Sequence, residues 1–225
     1  LNSLATQRHL QAYFSDAVVE QELDRIGWSG SINPTDSQDF FMDVEANYWG
    51  NKSNYFLTRH FAIALTRRGA VLHHAVSVDF TNRTVCGSYV RVEYGADVRL
   101  FMAGPVMSPA DNLRQPIYPN PSPPAGTQML DGWVIVACSG GQQQAVFQYD
   151  TLWSANARGV HEIYWQKQPG TVTDRVDAVW YDGAGHTYKV GGAFDQDQIV
   201  KAGPAGITLQ PGRAAQAILP TLSLG

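Results

Sequence analysis

A mainly β chain, α+β overall, with antiparallel β-sandwich-like sheets and one or two N-terminal helices, is predicted from three features. Gly (21), Pro (12), Tyr (10) and Trp (6) are plentiful while charged residues make up only 16%. That is the balance of short aromatic and β-branched strands separated by turns. Apolar runs of strand length recur along most of the chain, and helical spacing is confined to the first 27 positions. With 225 residues, 44% of them hydrophobic, the chain can bury a core without help from a metal.

The elements follow in order. Leu10, Tyr13, Phe14, Ala17 and Val18 recur at helical spacing, as do Val19, Leu23 and Ile26. Ser15 and Asp16 are N-cap types that divide this segment into two short helices, and Gly27 suits a helix stop. Residues 1–27 are expected to pack on the sheet. In a first β portion, residues 28–103, strands are predicted over 39–48, 54–65 and 71–82, with Arg67-Arg68-Gly69-Ala70 as a hairpin turn. Val76, Val78 and Phe80 alternate with Ser77, Asp79 and Thr81, as in a half-buried strand. Residues 89–94 and 97–102 read as two more strands flanking Gly95-Ala96. Pro105, Pro109, Pro116, Pro119, Pro121, Pro123 and Pro124 remove ladder donors, so residues 104–128 are predicted to form a long surface loop. That loop is a candidate boundary before a second β portion, residues 129–225, although both portions are also compatible with one continuous domain. Strands are predicted there over 132–138, 144–152, 160–166, 175–181, 187–190 and 207–209.

Net charge is −4 and no basic block is present, which argues against a nucleic-acid footprint. No apolar run reaches the roughly 18 residues of a membrane span, so these residues are not expected to cross a bilayer. The chain opens on Leu1-Asn2-Ser3 without Met or a signal pattern, and is therefore expected to be a processed piece of something longer. Cys86 and Cys138 each end an apolar run. They read either as two buried thiols or as a disulfide between strands, the latter requiring an oxidising compartment. They form no zinc motif.

Chemistry has few candidates. Asp39, Asp43 and Glu45 share one strand face by their odd numbering. Paired carboxylates are what a glycosidase uses, so Asp43 and Glu45 are catalytic candidates, with His73 or His74 as a helper. Three acids on one face also describe a solvated sheet edge, which is the plainer expectation. His73 and His74 are adjacent and must face opposite ways, while His60 lies on the neighbouring strand. His9, His161 and His186 show no sequence partner. Asp195-Gln196-Asp197 lacks the ligand number and the Gly of a calcium loop. Ser139 is not in a nucleophile elbow, and phosphate- and dinucleotide-binding glycine motifs are absent, so no cofactor or metal is expected. Among the tryptophans, core packing is the default, and Trp49 beside Gly50 is the least core-like. Trp49, Lys52 and Asn54 are the binding candidates.

Three stretches together resemble a known family. They are residues 47–82 with the polar opening Gly50-Asn51-Lys52-Ser53-Asn54, residues 164–176 with Gln166-Lys167-Gln168-Pro169-Gly170-Thr171, and residues 89–98. They look like the C-terminal half of the bacterial domain-of-unknown-function family 4012, whose members are typically envelope proteins with an N-terminal membrane anchor. The resemblance implies an extracytoplasmic, cell-surface or secreted location. It implies partners among envelope polysaccharide, other envelope proteins and the missing N-terminal half of a parent chain, and it carries no catalytic residues to transfer. The leading expectation is a non-catalytic module acting in assembly or in binding surface polymer or protein. Two alternatives stand beside it: a glycan-acting hydrolase using the acids of the 39–45 strand, and a glycan-binding module using exposed Trp and Tyr.

Overall fold

The computed structural model describes residues 2–32, 39–87, 93–116 and 122–212. Two short helices, α1 (Asn2–Thr6) and α2 (Ala17–Ile26), precede twelve strands. Asp16 caps α2 by accepting from the amides of Val18 and Val19, and Gly27 closes it in the left-handed conformation. The strands are β1 (Asp39–Asn47), β2 (Leu57–Arg68), β3 (Val71–Asn82), β4 (Tyr94–Ala103), β5 (Met107–Asp111), β6 (Thr127–Val136), β7 (Gly141–Leu152), β8 (His161–Gln166), β9 (Asp174–Tyr181), β10 (Thr187–Phe194), β11 (Gln198–Gly203) and β12 (Gly206–Pro211).

They form two six-stranded sheets. The first runs β12-β11-β8-β1-β4-β6 and the second β10-β9-β2-β3-β7-β5. Neither is purely antiparallel: β1 pairs parallel to β8, and β2 parallel to β9. Alternation along a strand fixes which side chains turn inward, but not which strand lies alongside. Each sheet takes strands from both sides of the Pro-rich stretch, so that stretch does not separate two packing units. Nor is it all loop. Met107–Asp111 pairs with β7 at the edge of the second sheet, where Pro109 needs no donor. Residues 117–121 lie outside the described residues.

The predicted break at Gly95-Ala96 is absent. β4 runs straight through both, with Gly95 opposite Ile135 and Ala96 opposite Val134 on β6. Most of the 89–94 strand lies outside the described residues. The predicted strand start at Asn54 is a short 3-10 turn, Ser53–Phe56, and β2 begins at Leu57.

The core fills the space between the sheets. Ile63 and Leu65 of β2, Val76 and Val78 of β3, Val98 and Leu100 of β4, Phe147 of β7, Trp165 of β8 and Trp180 of β9 are fully buried there. Trp165 lies 4.8 Å from Phe41 and 4.6 Å from Phe194 between ring centres. A smaller apolar cluster on the outer side of the first sheet joins Phe40, Met42, Phe101 and Tyr164, with Ile32 packed against it. The N-terminal segment is fastened to this side. Arg8 donates to both carboxylate oxygens of Asp197, at 2.7 and 3.0 Å, and Gln166 donates to the carbonyl of Ser31 at 2.8 Å. Asp197 also accepts from Tyr164 at 2.5 Å and from the amide of Lys167 at 2.9 Å. Its oxygens therefore serve as an anchor.

Cys86 and Cys138 form a disulfide between the segment after β3 and the β6–β7 turn. It ties the second sheet to the first. Its surroundings are bonded independently, with Ser139 N donating to Thr84 O at 2.7 Å and Gly140 N to Asn82 O at 2.8 Å.

Candidate functional surfaces

The acids of β1 do share one face, but it is the inner one. Asp39, Asp43 and Glu45 are all buried, which corrects the expectation of a solvated edge. The strand is covered on both sides, and charged partners reach it from other strands.

Around Glu45 the partner is Arg59 of β2. Its guanidinium bonds Glu45 Oε1 and also holds Asp174 through both carboxylate oxygens, at 3.2 and 3.1 Å. Tyr94 donates its hydroxyl to the other oxygen of Glu45. Burial works against the charge on Arg59, but Glu45 and Asp174 offset it and hold the guanidinium firmly protonated. Asp43 is different. Its Oδ1 has no hydrogen-bond partner, and burial, with Glu45 close by, pushes its carboxyl well above the usual carboxylate range. Burial also raises Asp174 and the Tyr94 hydroxyl. Lys167, buried nearby, donates to the carbonyl and hydroxyl of Thr171 at 2.7 and 2.6 Å, and its amine is lowered by burial to about 8.

At the opposite end of β1, Asp39 joins the two sheets. Its Oδ2 lies 3.1 Å from His74 Nε2 on β3 and 3.3 Å from His161 Nε2 on β8, and accepts from Thr151 on β7 at 3.3 Å. Burial opposes ionisation of Asp39, yet the two imidazoles hold its carboxyl well below the usual range. His161 Nδ1 faces the carbonyl of Ser154 at 2.5 Å. Both of its nitrogens thus face oxygens that only accept. His74 stacks on Tyr149 at 4.3 Å between ring centres. These groups form a sealed polar cross-brace.

Of the catalytic candidates, His73 does not meet the two acids, whereas His74 reaches Asp39 inside the cross-brace. Asp43 and Glu45 face the interior, while His73 faces outward from the second sheet, paired with Asp150 at 2.7 Å. Asp197 is committed to Arg8 and supplies no calcium loop. Among the described residues, no group of three His, Cys, Asp or Glu is placed to hold a metal.

Two surfaces stand out among the described residues. One is a depression of about 730 Å³ on the second sheet, lined from β2 by Thr58, Arg59 and His60, from β3 by Asp79, Phe80 and Thr81, from β7 by Gln142, Gln143 and Gln144, and from β9 by Arg175. His60 sits between two carboxylates, with Nε2 2.8 Å from Asp177 Oδ2 and Nδ1 3.7 Å from Asp79 Oδ2. Gln144 donates to Asp79 at 2.7 Å, and Arg175 lies 3.4 Å from Asp177. Charges here are balanced locally, and the rest of the lining is hydroxyl and amide with Phe80.

The second surface is the corner between β1 and β2. Asn51, rather than Lys52 or Asn54, builds it. Its Nδ2 donates to Glu93 O at 2.9 Å, its Oδ1 accepts from Ser53 N at 3.1 Å, and its carbonyl accepts from Asn47 Nδ2 at 3.0 Å. Gly50 takes a positive φ of 60° in this turn. Lys52 and Asn54 are exposed. Trp49 is 43% exposed and lies against the outer side of the first sheet, whereas Trp133, Trp165 and Trp180 are buried.

Sequence reasoning missed Arg59, Asp174 and His161. Arg59 did carry a signal, since it shares its odd-numbered face with Leu57, Phe61 and Ile63. A charge in register with core residues calls for a buried partner. No known protein family, characterised protein or solved structure matches this chain.

Proposed function

We propose that this chain is an extracytoplasmic module of a bacterial cell-envelope protein, binding hydrophilic surface polymer without catalysis. The depression around His60 is the observation that carries the reading. It is broad, charge-balanced and lined by Thr58, Thr81, Gln142 and Gln143, groups suited to hydroxyl-rich ligands. The location has two supports. A disulfide such as Cys86–Cys138 persists in oxidising compartments, and residues 47–82 and 164–176 resemble an envelope family. Other partners of this reading are a second envelope protein and the N-terminal half of a parent chain. The glycan-hydrolase reading is weaker, because it needs two carboxylates facing a cleft, and Asp43 and Glu45 are enclosed beside Arg59.

Titration of the ¹⁵N-labelled chain with soluble peptidoglycan and capsule-type polysaccharide fragments tests it. Amide shifts are expected at Thr81 and at Gln142 to Gln144. Replacing Gln142 and Gln144 by Ala is expected to weaken binding at least roughly tenfold with unchanged thermal unfolding. Silence of these strands toward every polymer, or release of reducing ends from a glycan, would end the reading.

A further inference from the structure

The opposite face of the sandwich carries a feature that the depression does not explain. Trp49 leaves the end of β1 and turns back over β4 at Gly95. A Cβ built on Gly95 would stand 2.6 Å from Cε2, 2.7 Å from Cδ2 and 3.0 Å from Cε3 of Trp49. Cδ2 and Cε2 are the two carbons shared by both rings of an indole. The ring therefore meets the backbone of Gly95 with the middle of one flat side, at a distance that only glycine permits. Trp133, in register with Asp97 two residues further along β4, flanks it at 6.3 Å between ring centres and 60° between planes. Trp133 in turn touches Tyr48 at 5.7 Å.

Trp49 nevertheless remains 43% exposed and Tyr48 44%. With one side of the indole on Gly95 and an edge toward Trp133, that exposure belongs to the side turned away from the sheet. Beside it lies a polar row. Arg99 donates to Tyr48 Oη at 3.2 Å and to Asp97 Oδ2 at 2.6 Å. A rigid flat apolar ring bordered by the Tyr48 hydroxyl and by the Arg99 guanidinium, which buried Asp97 holds in place, matches a ligand with one C–H face and a polar rim.

We infer that Trp49, seated on Gly95, is a stacking platform for a neutral pyranose ring, with Tyr48 and Arg99 at its rim. Tyr48 and Trp49 stand at unequal angles to Trp133, 37° and 60°, so the two rings are not coplanar, which limits the platform to one sugar unit rather than a flat multi-sugar track. Asp97, buried behind Arg99, balances the guanidinium charge, which favours an uncharged sugar over an anionic one. The platform is independent of the depression around His60 and can fail separately.

The test adds short oligomers of glucose and of N-acetylglucosamine to the ¹⁵N-labelled chain and follows the indole NH of Trp49. The resonance is expected to move with one of the two series. Trp49→Ala is expected to lower affinity at least roughly tenfold and Trp49→Phe to retain part of it. Gly95→Ala drives a methyl into the seat of the ring and is expected to weaken binding while Trp49 is still present. Gln142→Ala is expected to leave this binding unchanged. An unmoved indole signal with both series, or equal affinity of Trp49→Ala, overturns the inference. A change confined to Gln142→Ala overturns it too and leaves the depression as the binding face. Should Trp49→Ala fail to fold, the indole signal of the unaltered chain and the Trp49→Phe titration still decide.

Discussion

Asp39 and Asp43 sit four positions apart on the same face of β1 and respond to pH in opposite senses. Two histidines hold the Asp39 carboxyl below its ordinary range, whereas burial holds that of Asp43 well above it. A carboxyl lowered on folding contributes stability above the ordinary carboxylate range, and that contribution is lost as pH falls. A carboxyl raised on folding acts the other way, because the unfolded chain releases its proton first, and stability falls as pH climbs from the ordinary range toward the raised value. Urea unfolding across a pH series is therefore expected to show Asp39→Asn flattening the acid limb and Asp43→Asn flattening the fall on the other side. Identical slopes in variant and parent would contradict both assignments. Odd numbering placed Asp39, Asp43 and Glu45 on one face correctly. It did not show that Arg59, Tyr94 and His161 would be the partners of these acids, since they come from strands whose neighbours are settled by long-range pairing.

At the level of elements, the Arg8–Asp197 ion pair is the charged clamp of the N-terminal segment, beside the Gln166 bond to Ser31 and the packing of Ile32. α2 has no buried residue, and Val18, Tyr13 and Phe14 remain exposed. Arg8 is buried with Asp197 and is bonded to it twice. Removing one partner of such a pair costs about 3–5 kcal/mol. Arg8→Met is expected to free residues 2–32 without melting the sheets, seen as faster amide exchange in that segment and unchanged exchange in β2 and β3. Uniform loss of protection across the chain would mean the clamp belongs to the core. α2 and its stops were legible, because Asp16 and Gly27 act through their immediate neighbours, whereas the helical spacing read over Leu10, Tyr13 and Phe14 does not form a helix: those residues lie between α1 and α2. The clamp was not, as its partners lie 189 positions apart. Gly95 shows a similar gap. A glycine inside a strand reads as a break, and its use beneath Trp49 appears only once a distant ring is placed on it.

The whole molecule is interleaved. In the first sheet, β1 lies between β8 and β4, and in the second, β2 lies between β9 and β3, so neither half of the chain can close a sheet alone. Separately produced residues 1–116 and 122–225 are expected to show no cooperative thermal transition, and a sharp transition in either would argue for two folding units. The Pro-rich composition was a fair signal of surface position but not of a boundary, because proline reports on donors and not on which strands later come together. The disulfide has a consequence under tension. Cys86 and Cys138 are 52 positions apart, and at about 3.5 Å per extended residue they withhold roughly 180 Å of contour length. A chain tethered at both ends and stretched to full unfolding is expected to lengthen by about that much more when reduced than when oxidised. Equal extensions in single-molecule pulling would show the crosslink open. Oxidised, the unfolded module stops short by the length of that loop, a limit set by a covalent bond and not by the strength of its sheets.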